Sequence, residues 1–442
     1  MICEKALIRK ENIGYILYSL KKKCYLFPNK EGQQMIDILI KNIKQNQPIF
    51  RGFNEGIQNE FVDVGIDKQV RFIDNTKISK RLLSVPLEYY FDYTNRCNLR
   101  CPHCYNINHL GTITMPSEIV RKIIKEMYKL GVMRIHLAGG EPTIDIEGLQ
   151  NYLSTAYENG IVTSMATNGL LLNDNICELL IKNELFAVSI SIDGYNEQSN
   201  ALIRGKGNFV KACENVKKLV HKRNISKSKM EIALKPTYTN ETELDFFEKM
   251  ILLAIDLKVD KIKFANPERS LNHERGHYGK QVSKYYQIME HIAELKEKYK
   301  KQINITNITN PIVGCPPLGL PELKGCIGGQ ELLAINPEGR ISPCLMNDTS
   351  LGNYYEYGSI EKFLTDSLQL AQYLKKIDNR ACHSCELYRK CRGGCQVRKI
   401  IEYGNTTEMD PYCARTSGRM AFDMQEHSAY QYFNEIVVAH SL

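Results

Sequence analysis

A chain of 442 residues, 43% apolar and 24% charged, has the length for two or three domains and the composition of a globular protein. Its net charge of +8 is spread over lysine clusters such as Lys21-Lys22-Lys23 and Lys296 to Lys301, with no nucleic-acid recognition motif, so an acidic peptide is at least as good a partner as nucleic acid. No apolar run approaches the roughly 18 residues of a membrane span, and charges at Glu4, Lys5, Arg9, Lys10 and Glu11 leave no room for a signal-peptide core, so a cytoplasmic protein away from membranes is expected.

Residues 1–82 read as a small separate unit. Tyr15 to Leu20, a lysine turn and Cys24 to Phe27 predict a β-hairpin. A helix follows, with Met35, Ile36, Leu39, Ile40 and Ile43 at helical period. A second turn-and-helix stretch and a strand at Val70 to Ile73 close the unit. Hairpin plus helices is a winged-helix pattern, which leaves peptide binding, mere packing and DNA binding open.

From 83 to 310 strands alternate with helices. The predicted strands are Glu88–Tyr93, Arg134–Ala138, Val162–Thr167, Phe186–Ile192, Met230–Lys235 and Lys261–Ala265. The first helix between them carries the stripe Ile119, Ile123, Met127 and Leu130, and Gly131 is placed to end it. Further helices centre near 150, 178, 214 and 248, and one runs from about 280 to 300. Repeated βα units imply a parallel sheet with right-handed crossovers. Six make an incomplete (β/α) barrel of the α/β class, whose strand-end loops carry chemistry.

The first of those loops is Cys97-x3-Cys101-x2-Cys104. Three thiols in one short loop can bind three irons of a four-iron cluster and leave the fourth open to a small molecule with an amine and a carboxylate. A zinc site lacking one ligand, or plain structural cysteines, are the alternatives. The loop, with Tyr105 directly after its third cysteine, resembles that of the radical S-adenosylmethionine (radical SAM) superfamily, in which the open iron chelates SAM. The resemblance extends to Gly139-Gly140-Glu141-Pro142 after the second strand, where the family holds the amino group of SAM. Glycines there allow close backbone approach, and Glu141 can accept from an ammonium. Asn168 after the third strand, Ser191 and Asp193 after the fourth, and Arg204 resemble positions that line the ribose and carboxylate of SAM. A planar guanidinium suits a carboxylate. The plain alternative is that Ser191 and Asp193 cap a turn and Arg204 is a surface charge. Residues 1–82 resemble the domain that, in many peptide-modifying members, holds a leader peptide by adding a strand to a sheet edge.

Of fifteen cysteines, Cys3, Cys24, Cys177 and Cys213 stand alone and read as buried thiols. Eight others fall between Cys315 and Cys413. In a chain of this size without a signal peptide, ligation or catalysis is favoured over disulfides. Cys326 is followed by twelve residues, Gly339, four residues and Cys344; then come Cys382-x2-Cys385-x5-Cys391-x3-Cys395 and Cys413. C-x2-C with further cysteines is also a zinc signature. All seven cysteines fit the SPASM extension of peptide- and protein-modifying radical SAM enzymes, which implies two auxiliary [4Fe–4S] clusters over residues 311–425, before a tail at 426–442. By that resemblance one takes Cys326, Cys344 and Cys395, with Cys315 as candidate fourth ligand, and the other takes Cys382, Cys385, Cys391 and Cys413. Two such sites would staple a loop-rich segment with little apolar core of its own.

The resemblance implies a maturase of a ribosomally made peptide. One electron, from a donor such as flavodoxin or ferredoxin, cleaves SAM to a 5′-deoxyadenosyl radical that abstracts hydrogen and leads to an intramolecular cross-link. A cysteine thioether is favoured, because an auxiliary iron could activate the thiol. A carbon–carbon or carbon–oxygen link is the nearest alternative. The related anaerobic sulfatase maturase usually has an aspartate after the cysteine matching Cys344, where Leu345 stands here. A DNA-binding iron–sulfur or zinc regulator is the non-enzymatic alternative. The residues name no catalytic base.

Overall fold

The computed structural model describes residues 6–19, 24–28, 30–44, 70–239, 242–265, 277–307, 326–377, 382–385 and 388–413. The second helical stretch expected between the first helix and Val70, Cys315 and the tail from 426 lie outside the described residues.

The N-terminal unit contains the expected hairpin, β2 (Gly14–Ser19) and β3 (Cys24–Leu26), and the helix α1 (Lys30–Lys44). It also contains a strand the sequence pattern does not show, β1 (Ala6–Glu11), which pairs antiparallel with β2 and parallel with β4 (Val70–Asp74). The sheet order is β3-β2-β1-β4. Strand β1 escapes a periodicity search because Arg9 and Glu11 are buried rather than solvated, in an ion pair 2.8 Å long. Arg9 also donates to the carbonyls of Val85, Pro86 and Gly131, which fixes the unit to the rest of the chain.

The six expected barrel strands are present: β5 (Glu88–Phe91), β6 (Arg134–Leu137), β7 (Val162–Thr167), β8 (Ala187–Ile190), β9 (Glu231–Leu234) and β10 (Lys261–Phe264). All pair in parallel with their sequence neighbours. The helices between them are α2 (Ser117–Lys129), α3 (Ile146–Glu158), α4 (Asp174–Lys182), α5 (Glu197–Arg204), α6 (Asn208–Ile225) and α7 (Asp245–Asp256). Gly131 has the positive φ, +75°, expected at a helix end. Strand residues such as Ile135, Val188, Ile190 and Ile262 pack with Ile123, Leu180 and Val216 of the helices in one continuous core. The alternate residues, among them Tyr90, His136, Ser164 and Lys263, are only partly buried and form the opposite, polar face.

The helix expected from about 280 to 300 is present, but the strands that extend the sheet at its two edges were not legible. Helix α8 (His277–Tyr299) leads to β11 (Asn304–Asn307), a polar strand whose Ile305 is buried and which adds in parallel to β10. At the other edge β12 (Leu332–Ile335) adds in parallel to β5, then turns at Gly339 into β13 (Arg340–Ser342) and on to β14 (Gly352–Asn353). The result is one ten-stranded sheet. The segment from β12 onward therefore shares the barrel's core: Leu333, Ile341, Phe363 and Tyr373 join the main apolar cluster. Its apolar residues look sparse in sequence because their partners lie on the barrel. Cys177 is buried in that core and Cys213 packs against it.

Candidate active site

The cysteine loop leaves the end of β5, and its shape is set from below by the Gly139-Gly140 turn. The amide of Gly140 donates to Thr94 O and that of Glu141 to Arg96 O, at 3.0 and 2.7 Å. A Cβ on Gly140 would stand 2.1 Å from Arg96 O, and Gly139 has a φ of +62°. What approaches these glycines most closely is thus the backbone leading into Cys97. Asn106 Nδ2 donates to Gly139 O at 3.3 Å and ties down the far side of the loop.

Glu141 is not held out as a lone carboxylate. Its Oε1 accepts from Thr143 N, Thr143 Oγ1 and Thr167 Oγ1, and its Oε2 from Asn168 N at 2.7 Å. Buried, it clamps the second strand end to the third. Pro142 is buried beside it, with its carbonyl accepting from Tyr93 Oη at 2.6 Å. Asn168 in turn donates to Asn98 Oδ1 inside the cysteine loop at 2.7 Å.

Cys97, Cys101 and Cys104 are free thiols within electrostatic reach of one another. Burial pushes all three up, Cys101 to about 11 against the pull of Arg204, and a cluster would bind them as thiolates. Arg204 Nη1 lies 3.9 Å from Cys101 Sγ while its Nε donates to Asp193 Oδ2 at 2.5 Å. Asp193 also accepts from Thr237 N at 2.7 Å and faces His103 Nε2 at 3.4 Å. Arg204 and Asp193 are therefore not solvated surface charges, and Asp193 does more than cap a turn. Ser191 is partly exposed at the end of β8, with its amide bonded to Thr167 O. The hydroxyl of Tyr105 is buried without a hydrogen-bond partner among the described residues.

Four further groups were not singled out in the sequence. Asp92, at the end of β5, is buried, and burial lifts its carboxyl to about 7 against the amides of Ala138 and Gly139. Lys235, at the end of β9, is pushed down by burial and by Lys263, while Asp193 pulls it up. His109 and Asp348 meet at 3.2 Å, joining the turn after Cys104 to the loop after Cys344. A polar residue at a parallel strand's C-terminal end would have flagged Asp92 and Lys235; nothing local flags the other two.

The tail cysteines fall into two groups. Burial, then Cys326, Cys344 and Cys395, raise the hydroxyl of Tyr373 far above its usual value, so those three thiols lie within electrostatic reach of one hydroxyl. Cys382 feels Cys413 and Cys385, and Cys391 feels Cys413 and Cys382. Asp410 braces the second group. It is gripped by Arg398 through Nε and Nη2 at 2.9 and 2.6 Å, accepts from Cys395 N, and its own carbonyl accepts from Cys413 N. Buried Arg392 pairs with Glu331, whose carbonyl accepts from Leu87 and Glu88 at the start of β5. Among the described residues no three His, Cys, Asp or Glu side chains converge on a point one metal ion would fill. Thiolates around a four-iron cluster stand further apart than the ligands of a single ion. The donor sets, all sulfur, suit such clusters.

Residues 92–250 match the Radical SAM superfamily. The PqqA peptide cyclase of Bradyrhizobium diazoefficiens is 23% identical over 374 residues, covering 77% of this chain and 90% of that protein. The mycofactocin maturase MftC of Mycolicibacterium smegmatis is 24% identical over 356 residues, 78% of this chain and 87% of that one. In fold, Streptococcus suis SuiB bound to its precursor peptide SuiA superposes with a TM-score of 0.67 at 19% identity, covering 93% of this chain and 98% of that one. The structure of anSMEcpe with bound AdoMet gives 0.61 at 19% identity, over 79% and 100%. A non-enzymatic regulator is set aside by the superfamily match across the site. No helix of the described residues is long and apolar enough to cross a membrane.

Proposed function

We propose that this chain, a radical SAM enzyme whose relatives include peptide maturases, installs an intramolecular cross-link in a ribosomally made precursor peptide. The observation that carries the reading is the contact of His109 with Asp348. It brings the loop after the three opening cysteines against the loop after Cys344, so a peptide reaching one thiol group reaches the other.

In this reading Cys97, Cys101 and Cys104 hold the cluster that binds SAM. Given one electron from the external donor, the bound cluster would cleave SAM to methionine and the 5′-deoxyadenosyl radical that abstracts hydrogen from a substrate carbon. The chain's own part is placement. Gly139-Gly140 and Glu141 set the loop, Asn168 steadies it through Asn98, and Asp193 aims Arg204 at the carboxylate of SAM. The buried hydroxyl of Tyr105 would help to keep water from the loop. Cys326, Cys344 and Cys395, with Cys315, hold one auxiliary cluster, and Cys382, Cys385, Cys391 and Cys413 the other.

The leader lies along an edge of the N-terminal sheet, where among the described residues β3 pairs on one side only. Arg9, and Tyr25 bonded to Leu87 O at 2.6 Å, tie that sheet to the segment that leads into β5. A cytoplasmic setting and a flavodoxin- or ferredoxin-type donor belong to the same proposal. No nucleic-acid partner is invoked.

A cysteine thioether is the favoured product. Leu345, not an acid, follows Cys344, and the next carboxylate, Asp348, is engaged by His109 and lies 3.5 Å from Arg340, which disfavours a formylglycine-forming role. The test is co-expression with a short peptide encoded beside this chain, followed by mass spectrometry. Loss of two hydrogens per link is expected, with the cysteine blocked to alkylation. A loss of two hydrogens with free cysteine would indicate a carbon–carbon or carbon–oxygen link, and an unchanged mass would overturn the reading.

A further inference from the structure

Helix α13 (Gln396–Tyr403; α9 to α12 being Tyr354–Tyr357, Ile360–Asp366, Leu368–Lys376 and Tyr388–Cys391) starts directly after Cys395. Its residues 396 and 399 are one turn apart on the same face. Lys399 is 0% exposed and Gln396 1%. The ammonium of Lys399 and both polar atoms of the Gln396 amide are buried without a hydrogen-bond partner among the described residues.

An ammonium taken out of water without a counter-charge is among the most unfavourable arrangements in a folded chain. Asp410, whose side chain accepts from Cys395 N and whose carbonyl accepts from Cys413 N, does not supply one. Asp410 is already spent on Arg398 and on the amides of Cys395 and Tyr412. What does lie within electrostatic reach of Lys399 is the thiol of Cys382. A four-thiolate iron–sulfur cluster is an anion, becomes more negative on reduction, and takes hydrogen bonds at its sulfurs.

We propose that Lys399, with Gln396 beside it, is the buried cationic partner of the auxiliary cluster at Cys382, Cys385, Cys391 and Cys413, and raises that cluster's reduction potential. The inference rests on the reading that those four cysteines hold a cluster. The lysine is a positioning and tuning residue: it stabilises the reduced, more negative state more than the oxidised one. The step it biases is a one-electron reduction of the cluster by the external donor or by the substrate radical.

The full chain, with Cys97, Cys101 and Cys104 replaced by alanine to silence the first cluster, is reconstituted anaerobically. Iron and acid-labile sulfide are counted, and the remaining clusters are titrated by EPR. K399M is expected to move one of the two transitions to more negative potential by about tenfold in its equilibrium constant, about 59 mV for one electron. K399R is expected to keep the parent value. Loss of one cluster's iron in K399M but not in K399R would equally support a buried cation that the cluster requires. If K399M does not fold, K399Q, which keeps a donor without the charge, takes its place under the same criteria. Full iron with unmoved transitions in the charge-removing variant would overturn the role of Lys399 alone. Parent protein with iron and sulfide for fewer than two auxiliary clusters would overturn the cluster reading and this inference with it.

Discussion

Arg204 is shared between Asp193 and the cysteine loop: its Nε donates to Asp193 at 2.5 Å while Nη1 lies 3.9 Å from Cys101 Sγ. The carboxylate fixes the plane of the fork, so the guanidinium is aimed before any ligand arrives. Replacing Arg204 with alanine is expected to weaken SAM binding about 10- to 100-fold, the worth of a charge-assisted hydrogen bond. Asp193→Asn should lose less, since it disturbs only the aim. Equilibrium dialysis with labelled SAM, on protein of equal iron content, checks both; unchanged affinity would remove Arg204 from the site.

Gly140→Ala sets a methyl group against the carbonyl of Arg96, which is backbone and cannot swing aside. The entry to Cys97 must shift instead. The expected outcome is loss of the iron and sulfide of one cluster, with whatever iron the tail cysteines bind retained. Full loading of the alanine variant would show that the loop tolerates the displacement.

Glu141→Gln turns an acceptor into a donor where four donors converge. With a buried carboxylate network broken, stability is expected to fall by about 2–4 kcal/mol. Denaturant unfolding of the iron-free protein measures it. A change below about 1 kcal/mol would mean the clamp is not formed in solution.

Asp92 gives a pH signature with a definite sign. Burial raises its carboxyl to about 7, so between the ordinary carboxylate range and pH 7 the folded chain binds a proton that the unfolded chain has released. The stabilising contribution is complete at low pH and lost as pH rises from about 4 to about 7. Asp92→Asn should remove that part of the slope. Comparing the unfolding free energies of iron-free parent and variant at pH 5 and pH 8 tests it; parallel profiles would rule it out.

The barrel was legible because its information is local. Val162–Thr167 and Lys261–Phe264 carry their strand pattern in adjacent residues, and Ile119, Ile123 and Met127 mark a helix face by spacing alone. The cysteine spacings are of the same kind, since a loop must present its thiols within reach of one cluster. Strand β1 and strand β11 were hidden for the opposite reason. Arg9 and Glu11 look like surface charges until each other's burial is known, and Asn304–Asn307 has one apolar residue whose partners come from elsewhere.

By itself the sequence determined the six barrel strands, the helices between them and the spacing of the three-cysteine loop. Only the tertiary structure decided what the charged residues do: that Glu141 is a clamp, that Asp193 holds Arg204, and that Lys399 is buried; it alone also showed that Leu332–Ile335 extends the barrel sheet. A charge is soluble or structural according to what closes over it. Those partners lie tens to hundreds of residues away in the chain, where no local pattern records them.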